Sequence, residues 1–477
     1  NLYMNDINGT QPPAPRDDKE ANRFSGRMRR YAQVSTGVSG TAARLAGNAI
    51  FGIGLDRDKN AQQLAKALGG MKGPIMKVAQ LLSTIPDALP PEYAAELSQL
   101  QSQAPPMGWP FVKRRMAAEL GPEWQDRFAE FSREAVASAS LGQVHKARSH
   151  EGEALACKLQ YPDMQSYVQA DLNQFRWLLR IHKQMDPAID TSEIAAELEA
   201  RLYEELDYDL EARHTKLYGL IFDGDDLIQV PKVYDSLTTK RLLTMSWMQG
   251  TPLMHYKGHP QEDRNQIARA MFRAWWYPFS HYGAIHGDPH LGNYTIFEQD
   301  GRPAGINLLD YGCIRTFAPR FVEGVINLYR GLLHDDRDLI VNAYETWGFV
   351  GLSYDVIEIL NIWARFIYGP LLDDRTRRIA EGISPGQYGR REAFTVHKAL
   401  QEKGPVRVPR EFVFMDRAAI GLGGVFLHLD AEMNFHDLFN ETIQDFDIDE
   451  VGARQKETFE QAGVPLPVHG GEGSMVL

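Results

Sequence analysis

The sequence predicts a two-lobed α+β fold in which a small, strand-bearing lobe precedes a larger helical one. Three observations carry that prediction. Residues 131–148 and 154–160 read as strands around a turn at Glu151-Gly152-Glu153. Residues 241–245 form a further strand, followed by a connector, Ser246-Trp247-Met248-Gln249-Gly250. Beyond it the pattern is helical to about residue 446, interrupted by one hairpin, 293–297 and 305–309, around Gln299-Asp300-Gly301-Arg302.

A chain of 477 residues corresponds to about three domain equivalents, enough for a catalytic unit with a large extension. Lys and Arg total 51 against 63 Asp and Glu, a net charge of −12, which argues against nucleic acid as the partner. Two cysteines, Cys157 and Cys313, provide neither a disulfide framework nor a zinc site, and a reducing cytoplasm suits them. The opening Asn1-Leu2-Tyr3-Met4 lacks the basic and apolar regions of a secretory signal.

Residues 1–23 are polar, carry Pro12, Pro13 and Pro15, and read as a disordered leader. A helical extension follows over 24–126. Within it, Ser35, Ala43 and Gly47 belong to a small-residue stripe suited either to close helix packing or to a helix lying on a membrane. The acid-free basic stretch 23–44 fits an anionic surface or simply a solvated helix. A second helix, 61–82, sets Lys77 and Gln80 three apart on one face. Shorter helices at 92–100 and 111–120 flank the linker Pro105-Pro106, and Gly121-Pro122 ends the second of them.

The small lobe is assigned to 127–248. Ala137, Ser138, Ala139, Ser140 and Gly142 form its small-residue loop, and on the strand 154–160 alternation gives Ala156, Lys158 and Gln160 one face and Cys157 the other. Lys158 then points into a cleft, and Cys157 into core. The segment 193–214 reads as one helix with Leu198, Leu202, Leu206 and Leu210 every four residues. Asp207 and Glu211 share a face of it. Glu205 lies about 200° from Asp207 around an ideal helix, so these acids serve different partners unless the helix breaks.

The large lobe spans 249–446 and holds the chemistry. A helix over 267–282 leads to His286-Gly287-Asp288-Pro289-His290-Leu291-Gly292-Asn293, and the hairpin leads to Asp310-Tyr311-Gly312. Asp288 and Asn293 stand five apart, the spacing at which a kinase catalytic loop offers a carboxylate to the phosphoryl acceptor and an amide oxygen to a divalent ion. Asp310 supplies the second metal ligand, oxygen donors being what Mg²⁺ requires. An Asp-Pro or Asp-Tyr-Gly alone is an ordinary turn; the order helix, loop, hairpin, Asp is that of a kinase. No long activation segment follows Gly312, since helix resumes over 321–333. Gly421, Gly423 and Gly424 lie in a helical stretch, 412–429, and read as packing residues rather than a phosphate loop. Residues 447–477 read as a C-terminal tail, flexible from about Gly463.

Together, Lys77-x-x-Gln80, Ala137-Ser138-Ala139-Ser140-Leu141-Gly142-Gln143-Val144-His145, Lys158 before Gln160-Tyr161-Pro162, Glu205-Leu206-Asp207, the Asp288 loop and Asp310-Tyr311-Gly312 resemble the UbiB/AarF/ADCK family of atypical kinases over roughly 24–440. The resemblance implies a protein-kinase-like fold whose N-terminal helical extension lies over the active site, with Lys77 pairing Glu205 and Lys158 pairing Glu211. It departs from the family pattern Lys-x-Gly-Gln at Ala79. It further implies binding of ATP or ADP with Mg²⁺ or Mn²⁺, ATPase activity, and support of ubiquinone biosynthesis. Met245, Ser246, Trp247 and Met248 would line the nucleobase. The expected partners are the nucleotide, quinone-precursor lipids or an anionic membrane surface, and quinone-biosynthesis proteins; the expected place is the cytoplasm, peripheral on the inner membrane face. Two other readings stand beside this one: a small-molecule phosphotransferase of the aminoglycoside or choline kinase type, and a nucleotide-gated scaffold or lipid chaperone.

Overall fold

The computed structural model describes residues 107–139, 141–170, 172–173, 176, 191–383, 388–403, 407–469 and 474–476. The expectations placed on the leader, on the helices before residue 107, on Lys77 and Gln80, and on Ser140 lie outside these residues.

In chain order the elements are α1 (Trp109–Leu120), β1 (Glu130–Ala139), β2 (Gly142–Arg148), β3 (Ala154–Gln160), α2 (Thr191–Leu206), α3 (Tyr208–Ile221), β4 (Ile228–Gln229) and β5 (Leu242–Ser246). Then come α4 (Gln261–Tyr282), β6 (Ala284–His286), β7 (Tyr294–Gln299), β8 (Arg302–Leu308), β9 (Ile314–Thr316), α5 (Pro319–His334), α6 (Arg337–Trp347) and α7 (Tyr354–Leu372). The last are α8 (Arg390–Glu402), α9 (Arg410–Leu429), α10 (Phe435–Ile443) and α11 (Ile448–Ala462). Contacts divide the chain into two units, one holding 133–145, 158–206 and α1, the other 123–132, 146–157 and everything from Asp207 onward.

In the first unit, Arg115 of α1 is buried and donates from Nε to the Gln160 carbonyl (3.0 Å) and from Nη2 to that of Tyr161 (3.1 Å). The Gln160 side chain in turn donates to the Leu206 carbonyl at 3.0 Å, tying β3 to the end of α2. Gly121 ends α1 with φ 93°, a conformation that glycine adopts without strain.

The second unit is built around a core in which Trp275, Phe279, Tyr294, Tyr329, Phe435 and Phe459 are fully buried. β7 and β8 form the expected hairpin, and Asp300 (φ 54°) and Gly301 (φ 76°) turn it, both in the left-handed region that a two-residue hairpin turn demands. β4 lies parallel to β8. There a side chain on Gly305 would stand 2.1 Å from the Leu227 carbonyl oxygen, so only glycine lets the two strands close. The opening residues of β1 and β3 and the closing ones of β2 run beside β5 in the order β1-β2-β3-β5.

Three expectations are corrected. Ala137, Ser138 and Ala139 are not loop but the end of β1, and Gly142 opens β2; pairing with a neighbouring strand overrides the weak strand preference of small residues. The helix expected over 193–214 is two, broken at Asp207. The stretch read as tail contains α11, capped by Asp447 and ended by Gly463 at φ 70°. Val451, Gln455, Phe459 and Ala462 are its buried face. Gln455 is satisfied there by donating to the Tyr282 (2.9 Å) and Phe317 (2.8 Å) carbonyls, a polar residue inside an apolar stripe that hides the helical period.

Candidate active site

α4 ends at Gly283 in the left-handed conformation and delivers the chain into β6, which pairs antiparallel with β9. The Gly287 amide continues that ladder, donating to the Cys313 carbonyl at 2.7 Å. The two acid-bearing loops, one after β6 and one before β9, are therefore held side by side by backbone. His286 closes the frame. Its ring is wholly buried against Trp275, with centroids 5.1 Å apart. Nδ1 accepts the Asp288 amide (3.1 Å) and Nε2 donates to the Asp310 carbonyl (2.7 Å). A nitrogen that accepts an N–H carries no proton, so the ring is neutral with its hydrogen on Nε2. Burial likewise pushes its pKa below the ordinary value.

Asn293 donates from Nδ2 to the Asp288 carbonyl at 2.9 Å. With its nitrogen committed, the amide oxygen is oriented away as a hard donor. The Asn293 carbonyl accepts the Leu309 amide (2.9 Å), which sets Asn293 and Asp310 at the same end of the β7–β8 hairpin. Backbone amides orient both carboxylates: His290 donates to Asp288 Oδ1 (3.2 Å) and Gly312 to Asp310 Oδ1 (2.9 Å). Asp288, Asn293 and Asp310 are all half-buried. The Asp310 carboxylate and the Asn293 amide oxygen, partly open to water, are a donor pair that fits Mg²⁺.

Residues distant in the chain hold the frame from behind. A side chain on Gly287 would meet the Phe414 ring of α9 at 2.4 Å, and one on Gly421 would meet Pro289 at 2.5 Å. Gly421 and Gly423 are packing residues, as expected, and Gly421 packs on the Asp288 loop itself. On the other side, His214 of α3 lies against the backbone of Tyr311, and Tyr218 sets its ring edge-on to Tyr311 at 5.3 Å. Burial first, and Arg315 second, hold His214 down at about 4.

α3 begins at Asp207, whose side chain accepts the Leu210 amide at 3.0 Å. Expected among the catalytic acids, Asp207 is a helix cap, and that cap is the reason the helix breaks. Glu211 is buried one turn later, and Lys158, near the end of β3, is buried as well. Lys158 stands in the first unit and Glu211 in the second. Glu205, in the last turn of α2, is half-buried. Cys157 is core: burial pushes its thiol up to about 12.

The connector after β5 is anchored on the hairpin by Asn307, which donates to the Gln249 carbonyl at 3.0 Å. Met245 is buried; Ser246, Trp247 and Met248 are partly open. The Ser246 amide donates to the Lys232 carbonyl (2.8 Å) and the Trp247 amide to that of Ala154 (2.9 Å). The amides of Ser246 and Trp247 are thus both committed within the chain. No helix among the described residues is long and apolar enough to cross a membrane.

The ABC1 atypical kinase-like domain model matches residues 99–344, just over half of the chain. The chain is 31% identical over 266 residues to the mitochondrial atypical kinase COQ8 of Saccharomyces cerevisiae, covering 56% of this chain and 52% of that protein. It is 27% identical over 422 residues to chloroplastic ACTIVITY OF BC1 COMPLEX KINASE 8 of Arabidopsis thaliana, covering 82% and 53%. The structure of Rv3197 from Mycobacterium tuberculosis in complex with erythromycin matches with a TM-score of 0.56 at 28% identity, over 81% of this chain and 96% of that one. The chain spans only 52% to 63% of the length of the first four curated relatives.

Proposed function

Because the chain belongs to the ABC1 atypical kinase-like family, the UbiB/ADCK proteins, we propose that this kinase-type protein binds Mg-ATP or Mg-ADP and hydrolyses ATP in support of quinone biosynthesis. The observation that carries the reading is the hydrogen-bonded frame through His286 that gathers Asp288, Asn293 and Asp310.

In this reading Asn293 and Asp310 hold the metal and Asp288 positions or deprotonates the attacking hydroxyl or water. Bound Mg²⁺ would neutralise charge on the phosphate oxygens. The family resemblance assigns Lys158 to the phosphates and Glu211 as its partner; each side chain is buried, where a charge requires a partner. Gly142 and the small residues from Ala137 to Ser140 approach the phosphates, and Met245 to Met248 line the base. Lys77 and Gln80, with Glu205, restrict the acceptor. The acceptor is a quinone-precursor lipid or a protein that processes one, met at a membrane surface to which the basic stretch 23–44 is suited.

Replacing Asp288 by Asn tests it. ATP hydrolysis should fall by about two orders of magnitude or more while Mg-nucleotide binding persists; undiminished hydrolysis would remove Asp288 from the reaction. Only six residues separate Gly312 from α5, leaving no platform for a peptide. That brevity equally favours a small-molecule phosphotransferase, which rapid formation of a discrete phosphorylated metabolite would establish.

A further inference from the structure

Three side chains with metal-binding atoms meet at the start of α10, and none of them serves the nucleotide site. Asp374 follows the end of α7, while His436 and Asp437 occupy the first turn of α10 behind its cap, Asn434. His436 Nδ1 lies 3.7 Å from Asp374 Oδ1 and 3.5 Å from Asp437 Oδ1. One ligand atom of each lies within 4.8 Å of the others, the one such His/Cys/Asp/Glu group among the described residues.

The imidazole is only 18% exposed, and its Nδ1 atom is buried without a hydrogen-bond partner. The carboxylates are exposed, but the buried ring nitrogen beside them is left unsatisfied unless it holds a proton or shares a cation with them. A proton on Nδ1 is the first candidate, but charge-assisted N–H···O contacts fall at about 2.7–2.9 Å, well short of 3.5 and 3.7 Å. Around a tetrahedral zinc with bonds of about 2.0–2.1 Å, ligand atoms sit about 3.3 Å apart. The observed spacing is thus closer to that of ligands around an ion.

The surroundings agree. Asn434 donates from Nδ2 to Asp374 Oδ1 (2.9 Å), orienting that carboxylate from outside as a supporting shell does, and its Oδ1 accepts the Asp437 backbone amide (3.0 Å), which fixes the start of α10. Arg375 and Arg377 pair with Asp373 instead, and neither Asp374 nor Asp437 has a Lys or Arg partner among the described residues. The exposure of the Asp374 and Asp437 carboxylates gives a hydrated ion a way in.

We propose that Asp374, His436 and Asp437 bind a divalent first-row transition cation, Zn²⁺ by its donor set, with water in the fourth position. The ion pins the loop after α7 to α10. The test uses the full, tag-free chain in excess Mg-ADP, titrated with zinc chloride and followed by calorimetry and thermal unfolding. One zinc per chain and a rise in Tm are expected. Asp374→Asn and Asp437→Asn, both at exposed carboxylates, should each weaken zinc binding at least about tenfold and remove the rise, with Mg-ADP binding unchanged. Cobalt provides a second readout: a tetrahedral visible spectrum in the native chain, absent in His436→Gln. Zinc stoichiometry and affinity that persist in these variants, or no binding to the native chain at millimolar zinc, would overturn the site.

Discussion

The Nε2 of His286 lies 2.7 Å from the backbone carbonyl of Asp310, while the opposite ring nitrogen takes the amide of Asp288. One neutral, buried ring therefore sets the backbone of both acid-bearing loops at once. The link runs through main chain.

Replacing His286 by Leu keeps much of the volume and removes both bonds. An amide and a carbonyl are then left buried and unsatisfied, at about 1–3 kcal/mol each. Urea unfolding should show a loss of that order, and Mg-nucleotide affinity should fall with it. A variant as stable as the native chain would mean that the ring merely fills space.

Acid should weaken the fold through its buried histidines. His214 and His281 are held at about 4, chiefly by burial, and His286 is also held below its ordinary value. In the unfolded chain each titrates near 6.5, so between about pH 4 and 6.5 the unfolded state binds more protons. This contribution is complete above about pH 6.5 and is lost as pH falls, by up to about 1.4 kcal/mol per pH unit for each histidine. Urea midpoints compared at pH 7 and pH 5 should drop accordingly, and His214→Gln should shallow the slope. A midpoint that does not move contradicts the neutral assignments.

Asp207 separates a capping role from a catalytic one. Asp207→Asn retains an N-cap acceptor and should leave stability and hydrolysis near native, whereas Asp207→Ala should cost about 0.5–2 kcal/mol. Loss of hydrolysis in the Asn variant, with the fold intact, would return Asp207 to the chemistry.

The Asp288 and Asp310 loops were legible in the sequence because their residue types and spacing are the chemistry itself, and the hairpin because Asp300-Gly301 is its turn. The break at Asp207 was not, since the leucine period runs straight through from Leu198 to Leu210 while the cap acts on a single amide. α11 was hidden by Gln455, which looks exposed until its two carbonyl partners are known. His214 on Tyr311, Asn307 on Gln249 and Gly421 on Pro289 join residues 58 to 132 positions apart. Such pairings exist only once the chain has folded, and no local pattern announces them.

The most direct measurement is calorimetric titration of the native chain and its Asp310→Asn variant with ADP, with and without Mg²⁺. The account predicts one Mg²⁺-dependent nucleotide site in the native chain and loss of that dependence in the variant. Equal Mg²⁺-dependent affinity in both would contradict the claim that Asp310 joins Asn293 in holding the metal.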